Sequence, residues 1–362
     1  MRESFQSLKM ENSPKRRKTK TIRIGSVQVG GDHPIAVQSM ANTDTRDVRA
    51  TVRQIRKLEK AGCEIIRVAV PDQEAAEALS SIKQQIKIPL IADIHFNYPL
   101  AISAMKNGVD AIRINPGNIR KDNLKKIIRV AREMDIAIRI GINSGSLEKK
   151  ILKKYGAPSA EALSESALSN IEFFEGLGFS NIKISVKSSD VPTMIESYRC
   201  LSRATDYPLH LGVTEAGSVL QASIKSAMGI GILLYEGIGD TIRVSITGDP
   251  VSEIPVAFSI LRGLNIRRIG PEIISCPTCG RCQINLLQLV RRVEKEIAGL
   301  KEPFKIALMG CAVNGPGEAA EADIGIAGGK GTGLLFKKGK VVKKIKENEF
   351  ITSLLEEIDR LK

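Results

Sequence analysis

The sequence predicts an α/β protein in two parts, a (β/α)8 TIM barrel over residues 21–268 and a small α+β domain over residues 269–362. Three observations carry that expectation. Short β-rich segments alternate with helical ones eight times across the first part, as parallel strands joined by crossover helices require. The chain has 362 residues, more than one core readily supports, since single cores seldom grow past about 250 to 300 residues. Near Ile269 the alternation stops, and four of the six cysteines (Cys276, Cys279, Cys282 and Cys311) lie beyond that point.

Residues 1–20 read as a disordered basic tail, with Met10 as an alternative start; no apolar run or small-residue cleavage site marks a secretory signal. Strands then follow at 34–40, 65–70, 89–95, 111–115, 137–143, 181–187, 208–214 and 241–247. Between them, segments such as 47–61 and 121–134 space Val, Ile, Leu and Ala at three and four residues, as helices laid on a sheet do. Eight repeats in one stretch favour a closed barrel over an open doubly wound sheet, although periodicity alone does not show closure. In the second part a cysteine-bearing loop leads into an amphipathic helix at 284–300. A strand at 305–309, a Gly-rich segment and a strand near 323–327 follow. A hairpin then turns at Lys338-Gly339 between 334–337 and 340–345, and a helix near 349–361 closes the chain.

Four barrel strands repeat one pattern, apolar-Arg-apolar, at Arg67, Arg113, Arg139 and Arg243. Side chains alternate faces along a strand, and the outer face of a barrel packs under helices, so the arginines point inward. Burying one guanidinium is costly, and burying four together requires anions. Asp93 is the clearest inward carboxylate, and one or two carboxylates do not balance four Arg and Lys187. The surplus points to a polyanionic ligand, and the planar forks of Arg suit phosphate oxygens. Asn115, Asn143, Ser185 and Ser245 share these faces near the strand C-terminal ends, where barrel enzymes build their sites. His95 shares a face with Asp93 and is read as part of the site. His210 is read as a hydrogen-bonded structural residue, and His33 lies in a Gly-rich turn. Glu215, closing the seventh strand, is a candidate proton donor or acceptor. Cys63 and Cys200 read as small core residues.

Cys276-Pro-Thr-Cys279-Gly-Arg-Cys282 places three thiols at two-residue spacing before a helix, and Cys311 sits in a glycine-rich loop after a strand. A zinc ion and an iron-sulfur cluster fit this spacing equally well. The spacing differs from that of radical enzymes using S-adenosylmethionine. The crowding suits a reducing compartment, so a cytoplasmic location and a metal site are expected instead of a disulfide framework. No run of 18 apolar residues exists to span a membrane. The net charge of +14 concentrates at 15–23 and 337–346, either as solvated surface or as docking surface for an acidic partner. A nucleic-acid-binding role is disfavoured by the lack of Trp and by an aromatic content of 4%, which leaves few stacking platforms. A barrel transferase or aldolase with a structural metal is the other alternative, and it would need no reductant.

Eight segments in order resemble the 4-hydroxy-3-methylbut-2-en-1-yl diphosphate synthases. They are Val37-Gln38-Ser39-Met40, Ala92-Asp93-Ile94-His95-Phe96, Arg113-Ile114-Asn115-Pro116-Gly117-Asn118, Arg139-Ile140-Gly141-Ile142-Asn143, Leu211-Gly212-Val213-Thr214-Glu215-Ala216-Gly217, Gly239-Asp240-Thr241-Ile242-Arg243-Val244-Ser245, Ser275-Cys276-Pro277-Thr278-Cys279-Gly280-Arg281, and residues 310–318. The resemblance implies a barrel that binds 2-C-methyl-D-erythritol 2,4-cyclodiphosphate, and a C-terminal domain similar to the iron-sulfur domain of sulfite reductases. It implies a 4Fe-4S cluster held by Cys276, Cys279, Cys311 and Glu318, with the carboxylate as the harder, more replaceable ligand. It implies diphosphate contacts from Arg67, Arg113, Asn115, Arg139, Asn143, Lys187, Arg243 and Ser245, with Glu215 near the substrate hydroxyls and Asn314 beside the cluster. Asp93 joins Glu215, Asn314 and Glu318 as an expected catalytic residue. Ferredoxin or flavodoxin is implied as electron donor, and a homodimer in which the cluster domain of one subunit covers the barrel mouth of its partner. Cys282 departs from the family pattern and is read as a spectator thiol.

Overall fold

The hairpin of β1 (Ile22–Ile24) and β2 (Val27–Val29) opens the fold, in a computed structural model that describes residues 15–360 apart from 298, 301, 312–316 and 318–321. Ile22, Ile24 and Val29 pack with Ala36, Ile65, Ile91, Ala111 and Ala137, the early residues of five barrel strands. That apolar plug seals the N-terminal end of the barrel, so the polar interior opens only towards the strand C-termini. Two compact units meet in the chain between Arg267 and Arg268.

In the first unit the strands are β3 (Ala36–Met40), β4 (Ile65–Ala69), β5 (Leu90–Ile94), β6 (Ala111–Ile114), β7 (Ala137–Asn143), β8 (Ile182–Lys187), β9 (His210–Leu211) and β10 (Thr241–Ile242). They pair in parallel in the order β8-β7-β6-β5-β4-β3-β10-β9. A parallel bridge from Ile184 to Leu209, with Ile184 N–H donating to Pro208 O at 2.9 Å, brings β8 back beside β9. The eight strands thus make a nearly closed barrel, which periodicity could not establish. Helices α1 (Val48–Ala61), α2 (Gln73–Lys83), α3 (Tyr98–Lys106), α4 (Lys121–Glu133), α5 (Lys149–Tyr155), α6 (Ala160–Gly176), α7 (Val191–Ala204), α8 (Val219–Tyr235) and α9 (Glu253–Gly263) connect and follow the strands. Several begin on an acceptor side chain, as where Asp47, Asp72, Ser159 and Asp190 cap α1, α2, α6 and α7.

The last two strands are shorter than the expected 208–214 and 241–247. The ladder stops at Leu211 and Ile242, and only single backbone bonds such as Arg243 N–H to Leu211 O (2.9 Å) continue. Arg243 and Ser245 therefore sit on the segment leaving β10. The described end of the basic tail is also not free. Arg16 pairs with Asp240 at 2.9 Å, Arg17 donates to the carbonyls of Thr205 and Tyr207, and Lys20 pairs with Asp206 at 2.9 Å. Carbonyls left open beyond the C-terminus of α7 make that anchor.

The second unit is a mixed five-stranded sheet, β11 (Glu272–Ser275), β12 (Lys305–Met309), β13 (Ile324–Gly329), β14 (Thr332–Lys337) and β15 (Lys340–Lys346), in sequential order. The first three strands run parallel and the last two antiparallel. Helices α10 (Leu286–Glu296) and α11 (Phe350–Asp359) share one core with it through Leu289, Val293, Ile306, Ile326, Leu354 and Ile358. β11 falls where a plain loop was expected, because Ile273 and Ile274 extend alongside β12. α10 starts later than 284, at the Asn285 cap, whose Oδ1 accepts from Gln288 N–H. The Lys338-Gly339 turn has φ of +47° and +73°, the paired left-handed residues of a type I′ hairpin.

Candidate active site

Strand register lines up one row across four barrel strands: Asp93 opposite Arg113, Arg113 opposite Arg139, and Arg139 opposite Lys183. Neighbouring parallel strands lie about 4.8 Å apart, so these side chains enter the interior side by side. All four are buried. Asp93 anchors the row, with its oxygens 3.2 Å from Arg113 Nη1 and 3.6 Å from Arg67 Nε. Arg67 also reaches the Met40 sulfur, and Arg139 Nε donates to Ser185 Oγ at 2.9 Å. Gly141 allows this packing, since a Cβ there would stand 3.1 Å from Arg113 Cζ and closer still to Nε. Gly212 does the same for Lys187, whose Nζ would lie 3.1 Å from an added Cβ. Arg243 turns to Glu253 at 3.3 Å, and Glu253 also accepts from Ser39 Oγ at 2.7 Å.

Among the described residues, six cations (Arg67, Arg113, Arg139, Lys183, Lys187 and Arg243) share the interior with two carboxylates, Asp93 and Glu253. Asp240, also buried, is bound to Arg16 and to Leu209 N–H at the other end. Burial depresses Arg139, Lys183 and Lys187 well below their ordinary pKa, and the surrounding cations depress them further. Arg67 is lowered to about 10 by burial, against the opposing pull of Asp93. Burial pushes Asp93 up, but Arg67, His95, Arg113 and Arg139 together hold it well below the usual carboxylate range. Arg139 Nη1, Arg113 Nε and Lys183 Nζ have no hydrogen-bond partner among the described residues. Such groups need a guest or solvent.

The mouth carries the remaining polar groups. His95 Nε2 lies 3.7 Å from Asp93 and is half exposed. Asn115 donates to Ser146 Oγ at 2.7 Å while its oxygen accepts from Gly117 N–H, so part of its capacity shapes the loop. Asn143, with its oxygen turned inward, accepts from Arg113 Nη2 at 2.9 Å. Ser245 is half-buried beyond β10. Glu215 is exposed in the loop after β9, with φ of +53°, a left-handed backbone that a non-glycine residue seldom adopts and that is enriched at functional loops. His210 faces inward, with Nδ1 2.8 Å from Thr241 Oγ1 and Nε2 unpartnered among the described residues. Cys63 is a buried thiol raised to about 12, just past the C-terminus of α1, and Cys200 is half-buried in α7.

Two of these interior residues were not singled out from sequence. Lys183 stands two residues before Ser185 on the same face, so strand alternation alone could have found it. Glu253 comes from the start of α9, and nothing in a helical segment announces a side chain that crosses into the barrel.

In the second unit, adjacent parallel strands β11 and β12 both end at cysteines, Cys276 directly and Cys311 after Gly310. The open ends of parallel strands are where α/β sheets bind ligands. Gly310 N–H donates to Cys276 Sγ at 3.2 Å. A Cβ on Gly310 would stand 3.5 Å from Cys276 Sγ and nearer to Cys282 Sγ, so the glycine lets the two thiols pack against the backbone at the end of β12. Cys276, Cys279 and Cys282 are free, and Cys279 is exposed. Glu318 and Asn314 lie outside the described residues, and among those described no group of three His, Cys, Asp or Glu side chains is placed to hold a metal ion. Soft sulfur donors gathered at two adjacent strand ends suit an iron-sulfur cluster in their chemistry.

Known proteins resemble this chain over nearly its whole length. Residues 19–258 match the GcpE TIM-barrel domain and residues 272–360 the GcpE protein C-terminal domain. The 4-hydroxy-3-methylbut-2-en-1-yl diphosphate synthase (flavodoxin) of Geobacter sulfurreducens is 55% identical over 345 residues, 95% of this chain and 98% of that one. The protein of the same name from Caldanaerobacter subterraneus is 57% identical over 347 residues, 96% of this chain and 98% of that one. Among solved structures, dihydropteroate synthase of Yersinia pestis superposes with a TM-score of 0.51 at 9% identity, over 68% of this chain and all of that one, a likeness of fold alone.

Proposed function

The chain belongs to the GcpE family, and from that premise we propose that it reductively opens 2-C-methyl-D-erythritol 2,4-cyclodiphosphate to 4-hydroxy-3-methylbut-2-en-1-yl diphosphate, in non-mevalonate isoprenoid biosynthesis. The observation that carries this reading is the cation surplus sealed inside the barrel, which a diphosphate neutralises. Arg67, Arg113, Arg139, Lys187 and Arg243 grip the phosphoryl oxygens, and Asn115, Asn143 and Ser245 complete the cradle at the strand ends. Asp93 holds Arg67 and Arg113 in place before the substrate arrives, so no reorganisation is needed when it binds. Glu215 exchanges a proton with a substrate hydroxyl at the mouth.

Cys276, Cys279, Cys311 and Glu318 would hold a 4Fe-4S cluster, with Asn314 assigned by the family motif as its neighbour and Cys282 as a spectator. When bound, the cluster supplies electrons singly from an external donor to the substrate. The names of the relatives support a flavodoxin as that donor. The exposed lysines of the edge strand β15 (Lys340, Lys343, Lys344 and Lys346) suit so acidic a partner. No helix among the described residues is long and apolar enough to cross a membrane. Homodimer formation is supported by α8, which exposes Leu220, Ile224, Met228 and Tyr235 along one side.

Anaerobic turnover of the cyclic diphosphate with a chemical reductant tests the reading. Wild type converts it, Glu318→Ala and Glu215→Gln lose about a hundredfold or more in kcat, and Cys282→Ala stays within about twofold. Turnover of a phosphorylated substrate without any reductant would point to a transferase or aldolase instead.

A further inference from the structure

Lys183 closes the row Asp93, Arg113, Arg139, Lys183, yet nothing in the proposed reaction employs it. Its position is defined by its own strand. Residues 183, 185 and 187 lie on one face of β8, and the Arg139 bond to Ser185 fixes that face as the arginine-lined interior. The side chain is 1% exposed and its Nζ has no hydrogen-bond partner among the described residues. The other members of the row are engaged, Arg113 with Asp93 and Arg139 through Nε with Ser185.

Charge says what that amine is for. Six interior basic side chains face two carboxylates, and Asp240, whose charge favours the protonated form of Lys183, is itself bound to Arg16, which leaves up to four positive charges without a carboxylate of their own. A cyclic diphosphate carries two ionised oxygens. Its reductive opening takes up two electrons and one proton and releases one water; the carbon–oxygen bond to the ring phosphate breaks, and the freed phosphate oxygen retains a third negative charge. The interior is thus over-charged for the cyclic substrate and closer to balance with the open diphosphate.

We propose that Lys183 is a further substrate-binding residue, a deep anion contact that serves the phosphate oxygen released on ring opening and makes the barrel prefer a trianionic linear diphosphate over the dianionic ring. This rests on the proposed function and adds the basis of its charge selectivity. Burial and Arg139 disfavour the charged amine while the interior is empty, so Lys183 responds to a strongly anionic guest more than to a weakly anionic one.

The test is calorimetric titration of the anaerobic, unreduced full-length protein with the cyclic diphosphate, and separately with inorganic diphosphate as the linear probe. Wild type binds the linear probe at least tenfold more tightly than the ring. Lys183→Met, checked for folding by its melting temperature, weakens the linear probe about tenfold or more and the ring less than threefold, whereas a merely structural lysine would change both alike. Equal losses for the two ligands, or a wild type that favours the ring, would overturn the proposal while leaving the proposed function standing. Failure of wild type to bind the ring at all would overturn both. If Lys183→Met does not fold, the wild-type ratio alone decides.

Discussion

The two units handle their chemistry in opposite ways. In the barrel, the central arginines are fixed on regular strands in register, and Asp93 holds Arg67 and Arg113 before any ligand arrives. Arg113 and Asp93 face each other across β5 and β6, and Gly141 opens the space that Arg113 occupies. In the C-terminal unit, the thiols stand just beyond strand ends and in a loop, with Cys279 exposed. There, on the proposed function, a bound cluster would complete the geometry. A site of rigid side chains fails piecemeal when one is removed, and a site organised by its cofactor fails as a whole.

Breaking that contrast is most direct at the cysteines. Cys276→Ser leaves no visible absorbance near 400 nm and no measurable turnover in anaerobically prepared protein, while binding of the cyclic diphosphate, a barrel property, stays within about threefold of wild type. Full-strength cluster absorbance in this variant would remove Cys276 from the ligand set. In the barrel, Arg113→Leu lowers kcat/KM by about 2 to 4 kcal/mol, roughly 30- to 1,000-fold, without loss of the cluster spectrum, as steady-state kinetics would register. A smaller effect sharpens the contrast through pH. His210 is buried among cations and kept neutral, so its folded-state pKa is depressed, while in the unfolded chain it protonates near about 6.5. Below that value the unfolded state binds the extra proton, and stability falls by up to about 1.4 kcal/mol per pH unit. Urea unfolding at several pH values from 5 to 7.5 measures the slope, and His210→Asn flattens it.

How much could be read from sequence follows the same division. Strand alternation needs no tertiary information, so the inward arginines and the two-unit architecture were visible, and the same rule would have reached Lys183. Closure of the barrel was not, because the Ile184–Leu209 bridge joins strands by long-range geometry that no local pattern encodes. Glu253 was missed because it enters from a helix end, where its polar side chain looks like any first-turn carboxylate. The early ends of β9 and β10 were missed because Val213 and Val244 keep the apolar alternation after the ladder has stopped. At the cysteines the reverse holds. Spacing and the family motif carry the proposed ligand set, since a loop that would fold around a cluster holds its information in residue identity more than in contacts.

The central claim is that a barrel interior with four uncompensated cations is completed by a diphosphate. Calorimetric titration of the cyclic diphosphate onto unreduced wild type and onto the folded double variant Arg113→Leu/Arg139→Leu tests it most directly. The account predicts one site per chain with micromolar or tighter affinity in wild type, and a loss of at least a hundredfold in the variant. Equal affinity in the two proteins would contradict it.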